Sequence, residues 1–379
     1  MNKEGIVAGV DIGTCFSSIV TGQNIKGEYV MSKTSFPSVA AFGQPKQYQN
    51  MYTEEIEESP SVTLKNGDVW TIGQAEDSVA TMGGDRRING LTSALLEYGL
   101  NQLKIPKDAF LYLSFGIPTS LYFCLENEKK SINKLFIEQI KNAVKNQLTY
   151  NVGDIKVYPE SQPPATWYYV DKYVCYREER MNEGETITIV DIGGDTVDAI
   201  EVTCVGDNQI KAELSTSVGA QGHGTNGRNE ILNSLVCQEF AKQGVSINGG
   251  KLNQIQLAAI LKKGKLSVSK ITVDCKAFIE RATREQAFKI QTFLTSNFAH
   301  KKNQTFVFNG GGSAGIFKEY IPTWFDNVEI PENAEWSCPF GLLTLSSQLV
   351  QRKLKEAYPN KTFNVATALP AIAKMSARD

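Results

Sequence analysis

The sequence predicts an α/β protein built as two related lobes, each carrying an inserted subdomain. Three observations predict it. The chain of 379 residues is long for one domain, at roughly 150 residues each. Apolar strand-like runs alternate with helical patterns along it, as α/β layers require. One segment also echoes another: IVAGVDIGTCFSSIV at 6–20 and ITIVDIGGDTVDAIEV at 187–202. Each has an apolar run, then Asp-Ile-Gly, then a second run rich in β-branched residues. That pattern reads as strand, tight turn, strand. The copies lie about 180 residues apart, the spacing two similar lobes need.

After the first hairpin, FPSVAAFGQP (36–45) reads as a strand and turn, and VWTIGQAE (69–76) as another short strand and turn. The polar, turn-rich stretch between and beyond them makes 36–90 an inserted subdomain. AFLYLSFGIP (109–118) is a buried strand closed by Gly-Ile-Pro. Residues 131–148 form an amphipathic helix, with Leu135, Phe136, Ile140, Val144 and Leu148 at helical spacing. DIKVYPE (154–160) is a further strand. Beyond the second hairpin, a glycine-rich loop opens a helix within 217–240, with Ile231, Leu235, Val236 and Phe240 on its apolar side. Short helical and strand-like pieces over 245–280 belong to a second insertion. A helix at 284–298, a strand at 304–308, the turn NGGGSAG (309–315) and a last helix at 339–358 follow.

Composition excludes several classes. There are 39 Lys+Arg against 41 Asp+Glu, so the net charge of −2 offers no global attraction to nucleic acid or an acidic membrane. No apolar run is long enough to span a bilayer, and the start has no signal-peptide pattern. The seven cysteines are odd in number and scattered, with no CxxC, which reads as a reduced, cytoplasmic protein. With only two histidines, His223 and His300, a histidine-rich metal centre is excluded, and a Ser-His-Asp hydrolase is disfavoured.

Two Asp-Ile-Gly hairpins facing each other suit a nucleotide polyphosphate. Backbone N–H groups in such turns hydrogen-bond phosphate oxygens, and small side chains leave room for them. Gly13, Thr14 and Cys15 would grip one side, and Gly193, Gly194, Asp195 and Thr196 the other. Asp11 and Asp191 are placed to hold Mg²⁺ through water, since magnesium keeps much of its hydration shell. A lone Asp-Gly turn would be an ordinary turn; two matched copies after apolar strands carry the inference. Gly310, Gly311 and Gly312, followed by Ser313, allow a backbone to approach a flat nucleoside. The loop at 219–228, with Arg228 and Glu230 at the start of the next helix, is a second candidate for contacting adenosine.

This order of motifs resembles the actin, heat-shock chaperone and sugar-kinase superfamily of ATPases. DIGTCFS (11–17) resembles its first phosphate motif, DIGGDTVD (191–198) its second, and VFNGGGSAG (307–315) its adenosine motif. The third glycine common in the second motif is Asp195 here. VYPESQPPATWYYV (157–170) looks like the first connecting segment of the plasmid-segregating ParM and StbA group, whose pattern is Pro-Glu-Ser with a nearby Pro-Ala. PFGLLTL (339–345) looks like the second connecting segment. FPSVAAF (36–42), TIGQAE (71–76) and SFGIPTS (114–120) also resemble segments of that group.

The resemblance implies an actin-like fold around one nucleotide cleft. Its first lobe would comprise 1–35, 91–185 and 345–379, with 36–90 inserted. The second would comprise 186–222 and 284–344, with 223–283 inserted. It implies that Glu160 polarises the water that attacks the γ-phosphate, with Asp11 and Asp191 the other catalytic residues. The implied ligands are Mg²⁺ and ATP, with GTP left open. The implied function is a filament-forming ATPase whose subunits join head to tail, moving plasmid or phage DNA through a DNA-binding adaptor, with no direct contact to nucleic acid or membrane. The alternative is a small-molecule kinase of the same superfamily, acting on a sugar or an acid; it would need an aspartate base that the sequence does not reveal. A heat-shock-type chaperone is disfavoured because the chain ends about 65 residues after the adenosine motif. A membrane-bound cell-shape actin is disfavoured because no amphipathic anchor helix is visible.

Overall fold

The computed structural model describes residues 5–25, 28–45, 47–49, 56–73, 88–126, 129–170, 182–205, 210–247, 249–298 and 304–357. The chain begins with β1 (Gly5–Ile12), β2 (Phe16–Ile25) and β3 (Glu28–Pro37). Short strands β4 (Ala40–Phe42), β5 (Gln47–Gln49), β6 (Ile56–Glu58), β7 (Ser61–Thr63) and β8 (Val69–Ile72) follow. Then come α1 (Leu91–Gln102), β9 (Phe110–Ile117), α2 (Thr119–Tyr122), β10 (Phe123–Glu126), β11 (Lys129–Ile132), α3 (Lys134–Gln147) and β12 (Asn151–Pro159). The second half has α4 (Gln162–Tyr169), β13 (Thr186–Ile192), β14 (Thr196–Cys204), β15 (Ile210–Gln221), α5 (Thr225–Lys242), α6 (Gln254–Lys263), β16 (Lys265–Val268) and β17 (Ile271–Asp274). It closes with α7 (Lys276–Phe298), β18 (Thr305–Phe308), β19 (Val328–Glu329) and α8 (Ser337–Ala357).

Two five-stranded sheets form the frame, and they share one topology. The first runs β3-β2-β1-β9-β12 and the second β15-β14-β13-β18-β19. In each, three antiparallel strands precede two parallel ones. The duplicated Asp-Ile-Gly segment occupies the same place in both, as the central hairpins β1–β2 and β13–β14. The run GIVAGV that precedes Asp11 is apolar throughout because β1 is covered on both faces. Ile6, Ala8 and Val10 point into one core with Leu95 and Leu96 of α1. Val7 points the other way, into a cluster with Trp167, Phe340 and Leu343.

The segment 36–90 is closely tied to that first core, to which Val62, Leu64, Trp70 and Ile72 contribute. Residues 74–76 of the VWTIGQAE reading lie outside the described residues. Helix α3 begins later than its sequence pattern suggests, because residues 129–132 pair as β11. Its buried face is Ile137, Ile140 and Val144. Leu135 is 74% exposed, since two residues before Ile137 is half a turn round the helix.

Two helices cross between the sheets. On α4, Ala165 and Tyr168 pack with Ile187, Ile189 and Ile200 of the second sheet, while Trp167 packs with Phe340 and the first. Helix α8 lies on β1 and on α4. It does so from its first turn: a β-carbon on Gly9 of β1 would fall 2.1 Å from the Pro339 carbonyl oxygen. Where α4 and α8 cross, a β-carbon on Gly341 would fall 1.9 Å from the Pro163 carbonyl oxygen. Backbone meets backbone there, so Gly341→Ala must push the helices apart. A loss of about 1–3 kcal/mol is expected, the usual cost of overpacking, read as a lower melting temperature. An unchanged melting temperature would mean that the crossing tolerates a side chain. No helix among the described residues is long and apolar enough to cross a membrane.

Candidate functional site

Five segments at the carboxyl ends of strands reach one cavity of about 610 Å³. From the first sheet come Asp11 on β1, Pro118 after β9 and Glu160 after β12. From the second come Asp191 on β13 and the glycine turn after β18. Carboxyl ends of strands are where open α/β sheets place their ligands.

The two hairpin turns are closed in the same way. Gly13 N–H donates to Phe16 O at 3.0 Å, and Gly193 N–H to Thr196 O at 2.9 Å. The turns also nest against each other. A β-carbon on Gly194 would lie 2.2 Å from Thr14 Oγ1 and 2.8 Å from Cys15 Sγ. The second turn is braced by α5: Thr225 N–H donates to Gly193 O at 3.2 Å and Asn226 N–H to Gly194 O at 2.7 Å. These bonds satisfy N–H groups that a helix start leaves unpaired. Gly13, Thr14, Cys15, Gly193, Gly194, Asp195 and Thr196 all line the cavity.

Carboxylates converge on its floor. Asp191 is buried, and its Oδ1 has no hydrogen-bond partner among the described residues. Its carboxyl is held well above the usual carboxylate range, first by burial and then by Glu160, Asp11 and Asp198. The same carboxylates act on Cys338 in the first turn of α8. Burial, then Asp11, Asp191 and Glu160, push its thiol up, and its S–H donates to Asp11. Among the described residues no three His, Cys, Asp or Glu side chains are arranged to chelate a metal directly. The orphaned Asp191 oxygen, with the Asp11 and Glu160 carboxylates acting on it, fits a hydrated Mg²⁺ at Asp11 and Asp191. Glu160 is held by its N–H, which donates to Ile117 O at 2.7 Å, and Glu160 Oε2 accepts from Thr196 Oγ1 at 3.4 Å.

The cavity lining also includes Arg228. The residue is 7% exposed, and its Nε and Nη2 donate to the neutral Asn229 Oδ1 at 3.2 and 2.8 Å. Burial draws its pKa down. Gly311, Gly312 and Ser313 line the cavity as well. Two residues read from the sequence do not. Glu230 is exposed and off the cavity: Thr225, Arg228 and Asn229 share the inner face of α5 at spacings of three and four, and 230 turns away from it. Gly310 lies beneath the floor, where a β-carbon would fall 2.5 Å from Asp191 Cγ, so it makes room for that carboxylate.

The lining also includes Ser120, Leu121, Gln221, Asn229, Ile316 and Glu335, which sequence reasoning missed. Helical spacing from Thr225 could have found Asn229. The Gly-Ile-Pro stop after β9 could have found Ser120. Glu335 carries no local signal: it arrives through a 3₁₀ turn at Ala334–Trp336 just before α8.

No family model matches the sequence, and no curated protein matches it. Solved structures do. A 15-stranded ParM filament from Clostridium botulinum is 17% identical, with 92% of this chain and 100% of that chain covered and a TM-score of 0.68. A non-polymerisable quadruple mutant of pCBH ParM is 16% identical over the same shares, with a TM-score of 0.63. Ta0583, an archaeal actin homolog, is 14% identical, covering 90% of this chain and 99% of that one, with a TM-score of 0.65; its complex with ADP matches at 0.59. The chain thus has the actin-like fold that the ParM and archaeal actin structures share.

Proposed function

We propose that this protein is an actin-like ATPase that polymerises head to tail into nucleotide-dependent filaments. The observation that carries the reading is the pair of matched hairpins, one from each lobe, nested at Gly194 over a cavity floored by Asp11, Glu160 and Asp191. Structures of the same fold include a ParM filament, an Alp12 filament and an actin homolog with ADP. In this reading the backbone N–H groups of Thr14, Cys15, Gly194 and Asp195 bind the phosphates, while the Gly13 and Gly193 N–H groups close the two turns. Mg²⁺, held through water by Asp11 and Asp191, supplies charge neutralisation at the phosphate oxygens when bound. Glu160 accepts a hydrogen bond from the attacking water and orients it, the main task left to protein in phosphoryl transfer. Arg228, Gly311, Gly312 and Ser313 border the nucleoside. ATP is the proposed nucleotide. The proposed setting is the cytoplasm, with plasmid or phage DNA reached through a DNA-binding adaptor.

A small-molecule kinase would need a free aspartate base near the γ-phosphate. Asp198, the further carboxylate acting on Asp191, does not line the cavity and accepts the Thr119 N–H at 2.8 Å. Mg-ATP added to purified protein is expected to raise light scattering with release of phosphate, and electron microscopy of the same sample to show filaments. Absence of scattering at any concentration, together with ATP-dependent phosphorylation of a sugar, would overturn the filament reading.

A further inference from the structure

Away from the cavity, the lobes meet a second time behind Glu160. The contact joins Thr119 at the start of α2 and Ser161 after β12 to Asp198 on β14 and Ser217 on β15. All four residues are 2% exposed or less. Thr119 N–H donates to Asp198 Oδ1 at 2.8 Å. Thr119 Oγ1 donates to Ser161 Oγ at 3.1 Å, and Ser161 Oγ lies 2.8 Å from Ser217 Oγ. Each hydroxyl brings one proton, so a single direction of donation, from Thr119 to Ser161 to Ser217, satisfies the chain. Lys130 Nζ donates to the Ser217 carbonyl from the neighbouring β11. The surfaces touch closely enough to require glycine: a β-carbon on Gly219 would fall 2.5 Å from Asp198 Oδ1 and 3.1 Å from Ser120 N.

We propose that Ser161 is a positioning residue that makes the placement of Glu160 depend on closure of the lobes. This rests on the ATPase reading given above. Ser161 is the next residue after Glu160, and its hydroxyl lies between Thr119 of one lobe and Ser217 of the other. Glu160 is itself held to the first lobe through Ile117 O and to the second through Thr196 Oγ1. Separation of the lobes breaks the Ser161–Ser217, Thr119–Asp198 and Thr196–Glu160 bonds together, and Glu160 loses its fixed place relative to the second lobe while its N–H stays on Ile117 O. Water is then oriented for attack only in the closed form.

The test measures kcat for phosphate release, KM and ADP affinity in Ser161→Ala, Ser217→Ala and the double variant. Each single change is expected to lower kcat roughly five- to tenfold, the worth of about one hydrogen bond, with ADP affinity within about twofold of wild type. The double variant is expected to lose no more than either single one, because both cut the same chain. Thr119→Val should match Ser161→Ala, and Thr119→Ser should retain more turnover because it keeps the hydroxyl. Unchanged kcat in Ser161→Ala, losses that multiply in the double variant, or an equal loss of ADP affinity would each overturn the inference. Wild-type protein that releases no phosphate would instead remove the ATPase reading, and this inference with it.

Discussion

Replacing Glu160 by alanine is expected to lower phosphate release from Mg-ATP by about 100-fold while leaving nucleotide binding and filament assembly intact. The carboxylate stands at the carboxyl end of β12, on the cavity floor beside the Thr196 turn, with Oε2 3.4 Å from Thr196 Oγ1. It makes no contact that a nucleotide needs to be held, because the phosphate-binding N–H groups belong to the two hairpins. Removal should therefore act on kcat alone, the signature of an interaction made only in the transition state. Glu160→Gln keeps the shape but is a poorer acceptor, and should fall between the two. Phosphate release at saturating Mg-ATP, with ADP binding measured alongside, checks this. Wild-type turnover in the alanine variant would take Glu160 out of its role.

Asp191→Asn should act in two opposite ways. Mg-dependent turnover is expected to fall by about 100-fold or more, since an amide cannot neutralise or orient the hydrated cation as a carboxylate does. The nucleotide-free protein should become more stable at neutral pH. Burial, then Glu160, Asp11 and Asp198, raise the folded-state pKa of Asp191 above its ordinary value of about 3.9. Across the window from that ordinary value up to the raised one, the folded state holds the proton more tightly than the unfolded chain. Stability therefore falls as pH rises through the window, and the full penalty persists above it. Asparagine does not titrate, so the melting temperature of Asp191→Asn minus that of wild type should be smallest near about pH 4 and grow toward neutrality. Gly310 and Gly311 crowd the carboxyl from below, and asparagine, being the same size, fits that space. A difference that stays flat or shrinks with rising pH would show that Asp191 is not strained by its neighbours.

Much of the frame is legible because its signals are local. An apolar run ending in Asp-Ile-Gly is a strand and a turn wherever it occurs, and two copies imply two sheets of one topology. Errors arise where the answer depends on which face of a helix meets a neighbour. Leu135 fits an apolar stripe in the sequence, yet the stripe that packs is Ile137, Ile140 and Val144. Glu230 carries the more suggestive chemistry, yet Asn229 lies on the inner face of α5.

The sequence by itself determined the duplicated hairpins, the alternation of strands and helices, and the residue types that suit a phosphate and a hydrated cation. These follow from short-range backbone preferences and from side-chain chemistry, neither of which needs a partner. Only the tertiary structure decided that Gly194 nests on Thr14, that three carboxylates share one floor with the Cys338 thiol, and that Thr119, Ser161, Ser217 and Asp198 close the lobes behind Glu160. Those contacts join residues far apart in the chain. Serine, threonine and glycine there look like any others until packing brings them within hydrogen-bonding distance.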